Sequence, residues 1–340
     1  MFPNPSISPA CYTKYLLIAY HRNGFPLVDA EEGGWIPTFS HPKQLVTEID
    51  PKISFVPFHG FSSMIKSRTL DYISHPCSPI FNLICSFPHL EDLSVGTLSE
   101  SYRDDDLHDQ LVATRPSSSP AFTGLLELSV AGGMYCIAYE LLSLPGGLHF
   151  QKLNLVLRSE EDISSATALV EGCSSTLKHL RVNCDACMLV PHSCLQWQPG
   201  SSPLLTDESP GSIDPPKATR LKDVVFACKL NPRLIAAALR TITRNHRNFK
   251  QLSICSPKTI GSANFIPIRP DLADIKRTVG EAGYLGWLEL DRVLAQLHKS
   301  HSIRPKIILW GDRQRVGSCM EYLLPQAVVG GIVDLEDPTW

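Results

Sequence analysis

The chain has 340 residues, 43% of them hydrophobic, and its 31 Lys and Arg against 34 Asp and Glu give a formal charge of -3. That length can bury a large core, and the absence of a net basic field sets nucleic acid aside as a default partner. Charged residues make up 19%, below the roughly 25% of average domains, which fits a folded interior and not wholesale disorder.

The longest N-terminal apolar run, Tyr15 to Tyr20, is too short for a signal-peptide core or a membrane span, and no later run reaches about 18 apolar residues. Neither a targeting segment nor a membrane partner is therefore expected. Eleven cysteines, odd in number and irregularly spaced, do not make a secreted disulfide framework. They are expected to be reduced thiols in a cytoplasmic or nuclear setting, most of them acting as small buried hydrophobes.

Residues 1–60 are punctuated by Pro3, Pro5, Pro9, Pro26, Pro37, Pro42, Pro51 and Pro57, which interrupt any long helix. They are expected to form an irregular N-terminal cap of short strands and turns. Degenerate repeat strands are expected within Phe39 to Ile49 and within Val56 to Ile73. From Ile80, the apolar positions Ile80, Phe81, Leu83, Ile84 and Phe87 predict a helical face ended by Pro88.

A strand pattern then recurs six times: Leu90-Glu-Asp-Leu93-Ser-Val95, Leu125-Leu-Glu-Leu128-Ser-Val130, Phe150-Gln-Lys-Leu153-Asn-Leu155, Leu177-Lys-His-Leu180-Arg-Val182, Leu221-Lys-Asp-Val224-Val-Phe226 and Phe249-Lys-Gln-Leu252-Ser-Ile254. The starts are separated by 35, 25, 27, 44 and 28 residues. The shorter gaps match leucine-rich repeats, and the two long ones hold Pro- and Ser-rich insertions at 99–120 and 191–216. Helices are predicted between strands at Met134 to Leu144, Glu161 to Gly172, and Pro232 to Thr243. The last has Asn231 as cap and Pro232 at its first position. The array is assigned to 61–264. Residues 265–340 form a C-terminal cap and tail, with a helix over Leu285 to Lys299 and a strand over Lys306 to Trp310. The fold class is α/β: an irregular leucine-rich-repeat-like solenoid with a largely parallel concave sheet and outer helices.

Five segments, Ile80 to Val95, Leu142 to Phe150, Ala168 to Leu177, Leu221 to Phe226 and Ala238 to Thr243, together resemble the divergent leucine-rich-repeat, F-box-like proteins of mushroom-forming fungi. The resemblance covers roughly residues 50–255. It implies a protein-binding array and, in the wider family, an N-terminal F-box that docks on the adaptor of a cullin-type ubiquitin ligase. Residues 1–60 contain no Leu-Pro-led amphipathic helix cluster that matches an F-box. The Asn or Cys at the ninth position of a standard repeat is also replaced, by Leu98, Gly133, Arg158, Asp185, Lys229 and Pro257.

Alternate strand residues face opposite sides, so each copy sorts into a core set and an open-face set. The open-face candidates for partner binding are Asp92, Glu127, Lys152, Asn154, His179, Arg181, Asp223 and Gln251, with Lys152, His179 and Arg181 forming a cationic patch. An ordinary solvated sheet face has the same alternation. Cys184, Cys187, His192 and Cys194 echo a zinc knuckle, but the last spacing is too short, and parity puts Cys184 on the core side. Arg240, Arg244, His246, Arg247 and Lys250 follow a predicted helix, where cations favour the negative end of the dipole. The acidic run Asp104 to Asp106, with His108 and Asp109, lacks the Gly and terminal Glu of a calcium loop. His59, His89 and His149 stand alone and read as structural. No catalytic motif is present, so the expectation is a non-enzymatic protein-interaction scaffold without cofactor or metal. The alternative is a substrate-recognition subunit of a ubiquitin ligase.

Overall fold

The computed structural model describes residues 65–71, 84–85, 87–96, 120–130, 134–144, 146–158, 161–184, 218–227, 232–242, 245–256, 267–309 and 311–336, together with backbone strands at 15–19 and 44–48. The insertions expected at 99–120 and 191–216 lie outside them, apart from Pro120. The chain divides into two compact units, Met1–Gln151 and Lys152–Trp340.

The first unit contains strands β1 (Tyr15–Ala19), β2 (Gln44–Glu48), β3 (Ser67–Asp71), β4 (Asp92–Val95) and β5 (Leu125–Leu128), all parallel and neighbouring in chain order. Helix α1 (Met134–Leu142) follows. β2 and β3 fall within the two segments expected to hold degenerate repeats, and β1 adds a strand inside the Pro-punctuated first 60 residues. Sequential parallel pairing requires a crossover between neighbours, which is why strand patterns alternate with other segments along the chain.

Register explains which residues are interior. Leu93 pairs with Arg68 and Val95 with Leu70, so Ile65, Arg68 and Leu70 make one more copy of the repeat frame with an arginine at a leucine position. Arg68 is fully buried, and its guanidinium lies 4.6 Å from the centre of the Phe87 ring. Burial pulls its pKa down to about 9, because the charged form loses hydration, while the ring face offers partial electrostatic compensation.

The β5 copy corrects the sequence alignment. Leu126, not Leu128, pairs with Leu93, and Leu128 pairs with Val95, a shift of two residues. Phe122 takes a left-handed backbone (φ 43) and fills the leading core position, its ring 4.8 Å from that of Phe150. One additional residue thus separates the leading apolar side chain from the strand, and the left-handed turn absorbs it. A shift of two preserves the face, so Glu127 still points away from the core while its cross-strand neighbour changes from Asp92 to Ser94.

The second unit contains β6 (Lys152–Leu157), α2 (Glu161–Gly172), β7 (His179–Cys184), β8 (Asp223–Phe226), α3 (Pro232–Arg240), β9 (Gln251–Cys255), α4 (Leu272–Val279), α5 (Glu281–His301), β10 (Lys306–Ile308), α6 (Arg313–Leu323), α7 (Pro325–Val329) and β11 (Asp334–Glu336). Its strands are parallel and again follow chain order from β6 to β11. Both units are therefore α/β, with solenoid-like strand succession.

Leu153, Leu155, Leu180, Val182, Val224, Phe226, Leu252 and Ile254 are buried on one face of β6–β9, matching the repeat alignment in this unit. Each such side chain contributes roughly 1.5–3 kcal/mol by leaving water. The helix predicted over Leu285 to Lys299 is longer, spanning Glu281–His301, because Glu281 favours its first turn and His298, Lys299 and His301 its last. α4 starts with a reciprocal capping box: Asp271 accepts from the Asp274 N–H, and Asp274 accepts from the Asp271 N–H. α5 packs against α3, where Gly286 admits Arg233 and Pro232 at close range.

Candidate functional site

The polar face of β6–β9 is built by the same alternation that buries the leucines. Register places Lys152, His179, Asp223 and Gln251 in one cross-strand row, and Asn154, Arg181, Val225 and Ser253 in the next. Neighbouring parallel strands lie about 4.8 Å apart, so adjacent members of a row can act on one bound group. Lys152 and Gln251 are exposed, and Asn154, His179, Arg181 and Asp223 are partly exposed. At β9 the face narrows, because Ser253 and Cys255 are both buried.

His179 Nδ1 lies 2.6 Å from Asp223 Oδ2, and both side chains remain about one-third or more open to solvent, at 40% and 32%. An ionised carboxylate only accepts, so the imidazole donates Nδ1–H to it and presents Nε2 away from the pair. The expected Lys152, His179 and Arg181 patch is therefore not purely cationic, since an acid from β8 sits against its middle member. This pairing was readable in outline, because His179 and Asp223 occupy the same position in their two copies. Arg181 and Asn154 take part in further interactions of their own.

The two candidates in the first unit are more committed to the fold. Asp92 Oδ1 accepts the Leu125 N–H at 2.6 Å, which fixes the entry into β5, and the carboxylate rests against Gly124. Glu127 Oε2 accepts from Ser94 Oγ at 3.3 Å across the β4–β5 ladder. Of the eight open-face candidates, the row on β6–β9 brings together Lys152, His179, Asp223 and Gln251, with Asn154 and Arg181 beside them. Asp92 and Glu127 belong to the separate first unit.

Other sequence candidates fall elsewhere. The side chain of Cys184 and the whole of Cys187, His192 and Cys194 lie outside the described residues, as do residues 104–109 and His59. Among the described residues, no three His, Cys, Asp or Glu side chains come together as a metal site. Cys85, Cys173, Cys255 and Cys319 are buried free thiols. Burial pushes the Cys85 thiol up to about 12, assisted by the charge of Glu140, and the Cys319 thiol up to about 11 against the pull of Arg315. Such thiols hold very little of the nucleophilic thiolate near neutrality. The basic cluster is divided: Arg240 Nη2 pairs with Glu289 of α5 at 2.6 Å, His246 is fully buried, and Arg244 lies outside the described residues. His89 and His149 are exposed.

No helix among the described residues is long and apolar enough to cross a membrane. No protein-family model matches the chain, and no curated protein matches it.

Proposed function

We propose that this chain is a non-enzymatic protein-interaction scaffold, a leucine-rich-repeat-like array that holds a protein partner on the polar face of β6–β9. The supporting observation is the in-register row Lys152, His179, Asp223 and Gln251, which lines up four different hydrogen-bonding groups from four strands on one accessible strip. A rigid parallel sheet holds such groups at fixed spacing without ordering cost at the moment of binding, and a few anchors on it dominate affinity.

The test is a Lys152→Glu/Arg181→Glu double variant, compared with wild type by affinity purification from the native cell and then by direct titration of the recovered partner. Binding is expected to fall at least about tenfold, because two attractive charges become repulsive. Circular dichroism should show an unchanged fold, since Lys152 is exposed and Arg181 lies on the open face. A folded double variant that keeps its partner at wild-type affinity overturns the proposal.

A further inference from the structure

The His179–Asp223 pair gives the proposed face a chemical preference. With Nδ1 donating to Asp223, a neutral His179 ring has only a lone pair at Nε2, whereas a protonated ring presents an N–H there. The Asp223 carboxylate stabilises the protonated form, and so would a second anion approaching Nε2. The groups facing His179 are Lys152 on β6, Asp223 on β8 and, one row along β7 itself, Arg181. Once the imidazolium balances Asp223, the strip has Lys152 and Arg181 in excess. Gln251 and Asn154, the other polar members, are uncharged. Charge complementarity therefore selects an anion over β6 and β7.

Resting on the proposed function above, we infer that Lys152 Nζ and His179 Nε2 together receive a carboxylate from an extended acidic peptide segment of the partner. His179 takes up one proton from solvent as the segment binds. The carboxylate accepts one charge-assisted hydrogen bond from each cation, and Asp223 acts as a positioning residue that fixes the ring and its tautomer. Lys152 and His179 are Cα partners in adjacent strands, so one carboxylate bridges them without distortion of the sheet. A partner segment crossing the strands can place further acids near Arg181.

The probe is a fluorescein-labelled hexaglutamate peptide, with hexaglutamine as the uncharged control, titrated against the full chain at about pH 6 and about pH 8, a window in which the glutamates stay ionised. Hexaglutamate is expected to bind, and more tightly at the lower pH, while hexaglutamine does not. Lys152→Glu should weaken binding at least about tenfold. His179→Gln should weaken it and abolish the pH dependence. It should also remove the proton uptake seen by calorimetry in two buffers of different ionisation enthalpy. Lys299→Glu, at an exposed position on α5, should leave binding unchanged. Equal binding by the Lys152→Glu variant, proton uptake that survives in His179→Gln, binding of hexaglutamine, or no binding of hexaglutamate overturns the inference. If hexaglutamate fails while the double reversal still loses the cellular partner, only the acidic chemistry is wrong. If hexaglutamate binds as expected while the double reversal keeps the partner, the proposed function is wrong.

Discussion

Asp291→Ala is expected to destabilise the second unit by about 3–5 kcal/mol and to lower its Tm by roughly 10 °C in a thermal scan. Asp291 is fully buried in the middle of α5, and its two carboxylate oxygens accept from the first turn of α7: Oδ2 from the Gln326 N–H at 3.0 Å and Oδ1 from the Ala327 N–H at 2.8 Å. The start of α7 has no side-chain cap of its own, so a carboxylate 35 residues earlier takes that role. Alanine leaves two N–H groups without their acceptor and opens a void between α5 and α7. Asparagine keeps one acceptor oxygen but turns an NH2 toward the second N–H, so Asp291→Asn should cost less than alanine while remaining destabilising.

The pH dependence separates charge from shape. Burial raises the pKa of Asp291, outweighing the opposing pull of the Ala327 and Gln326 N–H groups and of Arg292. A folded-state pKa above the unfolded one means that the native state binds the proton more tightly. The contribution of this ionisation to stability is fully present below the unfolded value of 3.8 and is lost as the pH rises through the folded value. The stability difference between wild type and Asp291→Asn should therefore move in favour of wild type as the pH falls from about 7 toward about 4. Denaturant titrations of both proteins across that range check it, and a difference that moves the other way refutes the account.

The alternation that made β6–β9 legible is a period of two with little interruption: Leu153 and Leu155 against Lys152 and Asn154, Leu180 and Val182 against His179 and Arg181. Because the same frame recurs, sequence alone also gave the cross-strand rows of this unit. β5 defeated the frame, since a single additional residue after Phe122 slips the alignment and only the backbone reveals how it is absorbed. β3 was expected only as a degenerate copy because Arg68 occupies a leucine position, where a charged residue argues against burial. Asp291 was invisible for a related reason. A lone carboxylate beside Leu290 and Arg292 reads as a solvated helix residue, and its partners are backbone N–H groups whose sequence carries no mark. α4, by contrast, had a readable start in Asp271 and Asp274, three residues apart before an amphipathic stretch.

Gly124→Ala is expected to destabilise the first unit by about 2–4 kcal/mol, with most of the loss recovered when Asp92 is also removed. A Cβ on Gly124 would fall well inside van der Waals contact with Asp92 Oδ1 and 3.1 Å from the Glu91 carbonyl oxygen. Asp92 can escape only by rotating away from the Leu125 N–H, the 2.6 Å hydrogen bond that sets the start of β5. The Gly124 N–H is itself held by the Glu91 carbonyl at 3.0 Å, so the backbone cannot retreat without losing that bond as well. Glycine is required here by the close approach of a neighbouring strand, not by a turn. In an Asp92→Ala background the obstructing carboxylate is absent, and adding the methyl to Gly124 should then cost little. A double-mutant cycle read by urea denaturation is therefore expected to show a coupling of about 1–3 kcal/mol between the two positions. Additive effects would mean that the methyl is accommodated without disturbing Asp92. Asp92 would then not be what sets the entry of β5 into the sheet.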